Sequence, residues 1–113
     1  MRAAQAIHVV EKDEQNENLR KIGVDGADDI WETGYWIIAD CTAESLIGGT
    51  VYVHRGQNIP SHAGGKIIAI YHEAGSDRKR RVIRFQSAAS AKDVIAERPG
   101  WGNERKLIWK DRR

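Results

Sequence analysis

At 113 residues, with 41% hydrophobic and 30% charged residues, the chain has the make-up of one soluble globular domain with a small core. The single cysteine, Cys41, excludes an intrachain disulfide, and no run of residues reaches the length of a transmembrane helix. The net charge of +2 conceals a division: residues 1–40 hold nine acids and four bases (−5), whereas residues 41–113 hold fourteen bases and seven acids (+7).

With no signal-peptide pattern at the N-terminus, the expectation is a cytoplasmic protein without a membrane partner. A basic region of this size either neutralises the phosphates of RNA or DNA or forms a solvated surface. Residues 1–113 read as a single domain, in which 11–29 form an acidic, partly ordered arm.

Residues 3–10 read as a strand. Within the arm, a short helix near 15–22 would end at Gly23, a residue suited to the left-handed C-terminal position. Strand signals resume at Trp31, and the β-branched and aromatic run over 35–39 would send Tyr35, Ile37 and Ala39 one way and Trp36, Ile38 and Asp40 the other. Asp40 or Thr42 then offers an N-cap for a helix to Ile47, with Glu44 in its first turn and Gly48-Gly49 ending it.

Residues 50–55 follow as a strand, with Tyr52 and His54 on one face and Val51 and Val53 on the other. Gly56 to Gly65 makes a loop. Residues 66–72 are apolar at both alternating phases, which predicts a central strand buried on both sides. Gly75-Ser76-Asp77 is a turn signal, so 66–72 and 80–86 form a predicted hairpin. Ser90-Ala91-Lys92-Asp93 resembles a capping box and predicts a helix to about Glu97, stopped by Pro99-Gly100. Residues 106–110 are a last strand.

Five or six short strands with two or three short helices give an α+β class: a small, strongly curved antiparallel or mixed sheet, or a barrel. The connections between the middle strands are too short for a doubly wound parallel sheet.

The run Tyr35-Trp36-Ile37-Ile38 resembles the opening aromatic strand of the EVE and YTH branches of the PUA-like superfamily. Val51-Tyr52-Val53-His54 through Ser61-His62-Ala63-Gly64-Gly65-Lys66-Ile67-Ile68 is similar to their next pair of strands. The likeness covers residues 34–72, about a third of the chain. A very short helix replaces the Trp-containing stretch between the first two strands of those families. No full aromatic cage aligns, and the motif residues of the related ASCH branch are not evident. The resemblance implies a PUA-like barrel that binds RNA or DNA, in some members at a modified base. Fold alone does not fix function.

Among the aromatic residues, Trp31, Trp36, Tyr52, Trp101 and Trp109 are candidates to stack a base, the alternative for each being core packing. Trp36 is the first choice and Trp101, in a loop with two glycines, the second. Asp40, Gln57 and Asn58 are candidates to hydrogen-bond the base edge, and Ser61 shares their loop. The run Arg78, Lys79, Arg80, Arg81, with Arg84, is a candidate phosphate-binding strand or a charge-protected edge.

His54 and His62 flank one loop. With Lys66 they supply the residue types for acid–base cleavage of RNA, although no spacing enforces their meeting. No metal motif and no cofactor motif occurs. The leading expectation is a nucleic-acid-binding module with an aromatic base pocket beside a basic phosphate face, not an enzyme. The alternatives are a small protein-interaction or inhibitor protein of a phage or mobile element, and a small ribonuclease. Sequence leaves the oligomeric state open.

Overall fold

The apolar–polar alternation of the chain becomes strand wherever it is sustained. In the computed structural model, which describes residues 2–10, 20–21, 30–72, 80–96, 101–102 and 105–111, the order is β1 (Arg2–Val10), β2 (Arg20–Lys21), β3 (Ile30–Ile37), α1 (Asp40–Leu46), β4 (Thr50–His54), β5 (Ala63–His72), β6 (Arg80–Ser87), β7 (Trp101–Gly102) and β8 (Arg105–Asp111). A single 3₁₀ turn, Ala89–Ala91, follows β6. The strands form one sheet in the order β2-β3-β6-β5-β4-β1-β8-β7. Its ladders are antiparallel except for the parallel pairing of β1 with β4.

A small mixed sheet is thus what the alternation implied, but among the described residues it carries one α-helix where two or three helices were expected. The barrel alternative is corrected. Among the described residues the sheet is not closed, and its two ends are the two-residue strands β2 and β7, each paired on one side only.

One face of the sheet carries the core. Ile7 and Val9 of β1, Val51 and Val53 of β4, Ile67 of β5, and Ile83 and Phe85 of β6 are all fully buried. Helix α1 adds Ala43 and Leu46 to the same cluster. Burying a Val, Leu, Ile or Phe side chain contributes about 1.5–3 kcal/mol each, so this inward face dominates stability.

In β3 and β5 a bulge decides which residues reach it. In β3 the register shifts between Thr33 and Trp36, so Trp31, Thr33 and Trp36 all lie on the inward face although the last step is three residues long. In β5 the shift falls between Ile67 and Ala69, so Ile67 and Ile70 pack on the core while Ile68 is 40% exposed. The expectation that residues 66–72 are buried on both faces is therefore corrected: β5 is central in the sheet but covered on one side.

Three local readings also change. Helix α1 starts at Asp40 with Ala39 at the N-cap and no side-chain cap, so Asp40, not Glu44, is the acid of the first turn, and neither Asp40 nor Thr42 caps. The helix ends at Leu46, and Gly48 takes the left-handed conformation (φ +89°) expected just past a helix. Residues 20–21 are strand, which removes them from the predicted 15–22 helix. The rest of that helix, and most of the 11–29 arm, lie outside the described residues.

The predicted 90–97 helix does not form over 92–96. Asp93 sits at φ +60°, which breaks a helix. The backbone there bonds to Ser61 instead of to itself. Asp93 N–H donates to the Ser61 carbonyl (2.7 Å), Val94 N–H to Ser61 Oγ (3.0 Å), and Ser61 N–H to the Val94 carbonyl (2.8 Å). Ser61 Oγ donates in turn to the Ala91 carbonyl (2.6 Å). A local capping signal loses here to a partner about thirty residues away in sequence.

The Gly64-Gly65 pair lets β5 lie between close neighbours. A Cβ on Gly64 would stand 2.2 Å from the Val51 carbonyl oxygen, and one on Gly65 would stand 1.8 Å from that of Gln86. No larger residue fits either position without moving the sheet.

Candidate functional site

Residues that oppose one another in a ladder share a face, and this fixes the outward side of the sheet. The parallel register sets His8 opposite Tyr52, the β1–β8 register sets His8 opposite Lys106, and Tyr52 opposes Gly64. The row Lys106–His8–Tyr52–Gly64 thus crosses four strands on the outward face. The same face continues through Thr50, Lys66 and Gln86, and through Ala69, Arg84 and Glu32.

The first half of this face is covered. The His8 and Tyr52 rings stack at 4.5 Å with 18° between their planes. His8 Nδ1 lies 2.8 Å from His54 Nε2, and His54 Nδ1 lies 2.7 Å from the Ile59 carbonyl. A carbonyl only accepts, so the neutral His54 carries its proton on Nδ1 and donates it to Ile59. His54 Nε2 is then the acceptor, and His8 Nδ1–H donates to it. Both rings are sequestered, His8 at 5% exposure and His54 at 0%.

Burial, then the neighbouring His54 and Lys106, pulls the His8 pKa from 6.5 down to about 4. Burial also lowers that of His54, against the opposing effect of its hydrogen bond to Ile59. Two neutral imidazoles linked by one proton are therefore the resting state at pH 7. The 55–61 loop folds over His54, and Ala91 stands against Gly64 beside it.

The second half, on β5 and β6, is open. Lys66 and Gln86 are exposed, Tyr71 is 37% exposed, and Ile68 projects at the bulge. The Arg84 guanidinium lies over the Tyr71 ring, 4.8 Å from its centre. Arg84 also donates through Nε (3.0 Å) and Nη2 (2.8 Å) to Oε2 of Glu32, a buried carboxylate directly across the β3–β6 ladder. Among the described residues no group of three or more His, Cys, Asp or Glu is placed to hold a metal ion. None of their helices is long and apolar enough to cross a membrane.

No family model, no curated protein and no solved structure matches this chain. The site is accordingly read from its own residues.

Several expected site residues are redistributed by the fold. Trp36, first choice for a base pocket, is 9% exposed in the core cluster, with its Nε1–H donating to Thr33 Oγ1 (3.2 Å). Arg81 shares the inward phase of Ile83 and Phe85. It is buried, donates through Nε to the Ile38 carbonyl (2.8 Å) and pairs through Nη2 with Asp40. Arg81 therefore leaves the phosphate-binding strand, and Asp40, itself exposed, is its ion-pair partner. Ser61 is buried in its bonds to 91–94 and faces no ligand.

Tyr52 keeps an outward, half-buried place, but against His8. Gln57 and Asn58 are exposed on the loop. His54 meets His8, and the His62 ring nitrogens are buried. Lys66 is exposed on β5, whereas both ring nitrogens of His54 are taken up by bonds within the fold. Arg78 and Lys79 lie outside the described residues, as do the side chains of Arg80, Trp101 and Trp109.

Two residues absent from the sequence reading prove central. His8 sits at an alternating position in a strand that the sequence did show, but its partner depends on the β1–β4 register. Tyr71 sits beyond a bulge that reverses its apparent phase.

Proposed function

We propose that the protein is a nucleic-acid-binding module whose contact surface is the open half of the outward face. The observation that carries this reading is the grouping of an exposed aromatic ring, Tyr71, with Arg84, Lys66 and Gln86 on one sheet face. Sheet faces of this make-up suit unpaired nucleotides. Bases stack on rings and guanidinium planes, amides bond base edges, and cations track the backbone. The +7 balance of residues 41–113 supplies the long-range attraction. The likeness of residues 34–72 to the PUA-like superfamily points the same way and belongs to this proposal, with an open sheet in place of a barrel.

Titration of labelled RNA and DNA oligonucleotides at two salt concentrations tests it. Binding that weakens with salt, and weakens further in Lys66→Glu, is the expected result. Salt-insensitive binding, or none to either polymer, overturns it.

A further inference from the structure

The open half contains one arginine whose charge is already met. Glu32 is buried and opposes Arg84 across the ladder. Both guanidinium bonds, from Nε and from Nη2, converge on its Oε2. The guanidinium carbon stands over the Tyr71 ring, 4.8 Å from its centre. One edge of Arg84 is therefore taken and its charge is met by a carboxylate and a ring, yet 35% of its side chain remains exposed.

A phosphate clamp needs the opposite arrangement. It presents an unpaired charge and a free fork of donors to the anion. Here the Nε–Nη2 edge is spent on a carboxylate, and a phosphate approaching the remaining edge of Arg84 would meet the field of Glu32 as well. What the pair leaves for a ligand is a flat, oriented π surface of reduced net charge. Flat surfaces of that kind accept a nucleobase by stacking.

We propose that Arg84 is a base-stacking platform for an unpaired nucleotide, anchored by Glu32 beside Tyr71, and not a phosphate contact. Glu32 is its positioning residue: it fixes the plane and masks the charge. Backbone phosphates then fall to the exposed Lys66 on the same face. This inference rests on the nucleic-acid reading above and narrows its ligand to single strands with an accessible base.

The test compares a labelled eight-nucleotide DNA strand with an abasic strand of equal length and charge. Wild-type protein binds the base-bearing strand more tightly, by about 5- to 150-fold, the range for one base–aromatic stack. Arg84→Lys keeps the charge, loses the plane and removes most of that preference, while binding the abasic strand as wild type does. Tyr71→Leu, which leaves Glu32 and Arg84 paired, reduces the preference in part and serves as a second probe should Arg84→Lys fold poorly.

Glu32→Gln keeps an acceptor oxygen but unmasks the guanidinium charge. It preserves the base preference and steepens the logarithmic salt dependence by about 0.7, one added phosphate contact on a single strand. An unchanged salt dependence overturns the masking role of Glu32. Equal losses on both strands in Arg84→Lys make Arg84 a phosphate contact, which overturns the inference and leaves nucleic-acid binding standing. Failure of the wild-type protein to bind either strand overturns both.

Discussion

The two halves of the outward face carry similar chemistry to opposite ends. On β8, β1 and β4, Lys106, His8, Tyr52 and His54 are packed away. Ring stacks on ring, and each hydrogen bond of the His8–His54–Ile59 chain ends on protein. On β5 and β6, Lys66, Tyr71, Arg84 and Gln86 make a comparable set of aromatic, cationic and amide groups and leave them accessible.

The difference lies in the connections. The 55–61 loop closes on His54 and the segment bonded to Ser61 closes on Gly64, while Lys66, Ile68 and Tyr71 stay exposed. Polar groups that are covered must be satisfied internally and so become structure. The same groups left open keep their capacity to bind.

The largest perturbation should strike the seam where β5 joins the halves. Gly65→Ala sets a methyl 1.8 Å from the Gln86 carbonyl oxygen, and urea denaturation should show a loss of more than about 3 kcal/mol. His54→Ala attacks the covered half alone. It strands the Ile59 carbonyl and the His8 donor, with an expected cost of about 2–3 kcal/mol and little change in oligonucleotide affinity.

Acid acts on the same half. The unfolded His8 titrates near 6.5 and the folded one near 4. The unfolded chain therefore binds more protons across that window, and stability falls as pH drops from about 6.5 to about 4. His8→Phe keeps a ring against Tyr52 and removes the titration, so its stability should vary less over the window. A slope equal to that of wild type would assign the acid sensitivity elsewhere. Tyr71→Ala, in the open half, should give the smallest change in stability, about 1 kcal/mol, while weakening oligonucleotide binding. A large loss of stability there would erase the contrast between the halves.

Much of this frame is legible in the chain. Alternation gives β1, β4, β5, β6 and β8 within a residue or three at each end, and Gly48 marks the end of α1. The inward place of Arg81 is also legible, since it has the phase of Ile83 and Phe85, but a run of four cations draws the eye to charge before phase.

What alternation cannot show is where it slips. The bulge after Thr33 turns Trp36 inward, and Gly34 within it is the one local sign of the slip. The bulge at Ile68 turns Ile70 inward and leaves Tyr71 out, with no glycine or proline to mark it. Pairings distant in sequence are equally silent. His8 finds His54 only through a parallel register, and Ser61 overrides the capping signal at Ser90–Asp93 from the other side of β5. The candidate site was less legible than the fold for this reason: Lys66 and Arg84 were visible as cations, whereas the partners that give Arg84 its role, Tyr71 and Glu32, are brought to it by register.

The place of β1 has a consequence for the order in which the molecule assembles. Among the described strands β1 comes first in chain order, yet its two neighbours in the sheet are β4 and β8, the latter the last of those strands. The β5–β6 hairpin closes over a short loop and can form as soon as it is made, whereas β1 must wait with both edges unmet. The hydrogen bond between His8 and His54 therefore waits on the parallel pairing of β1 with β4, and the edges of β1 are surfaces in need of protection until then.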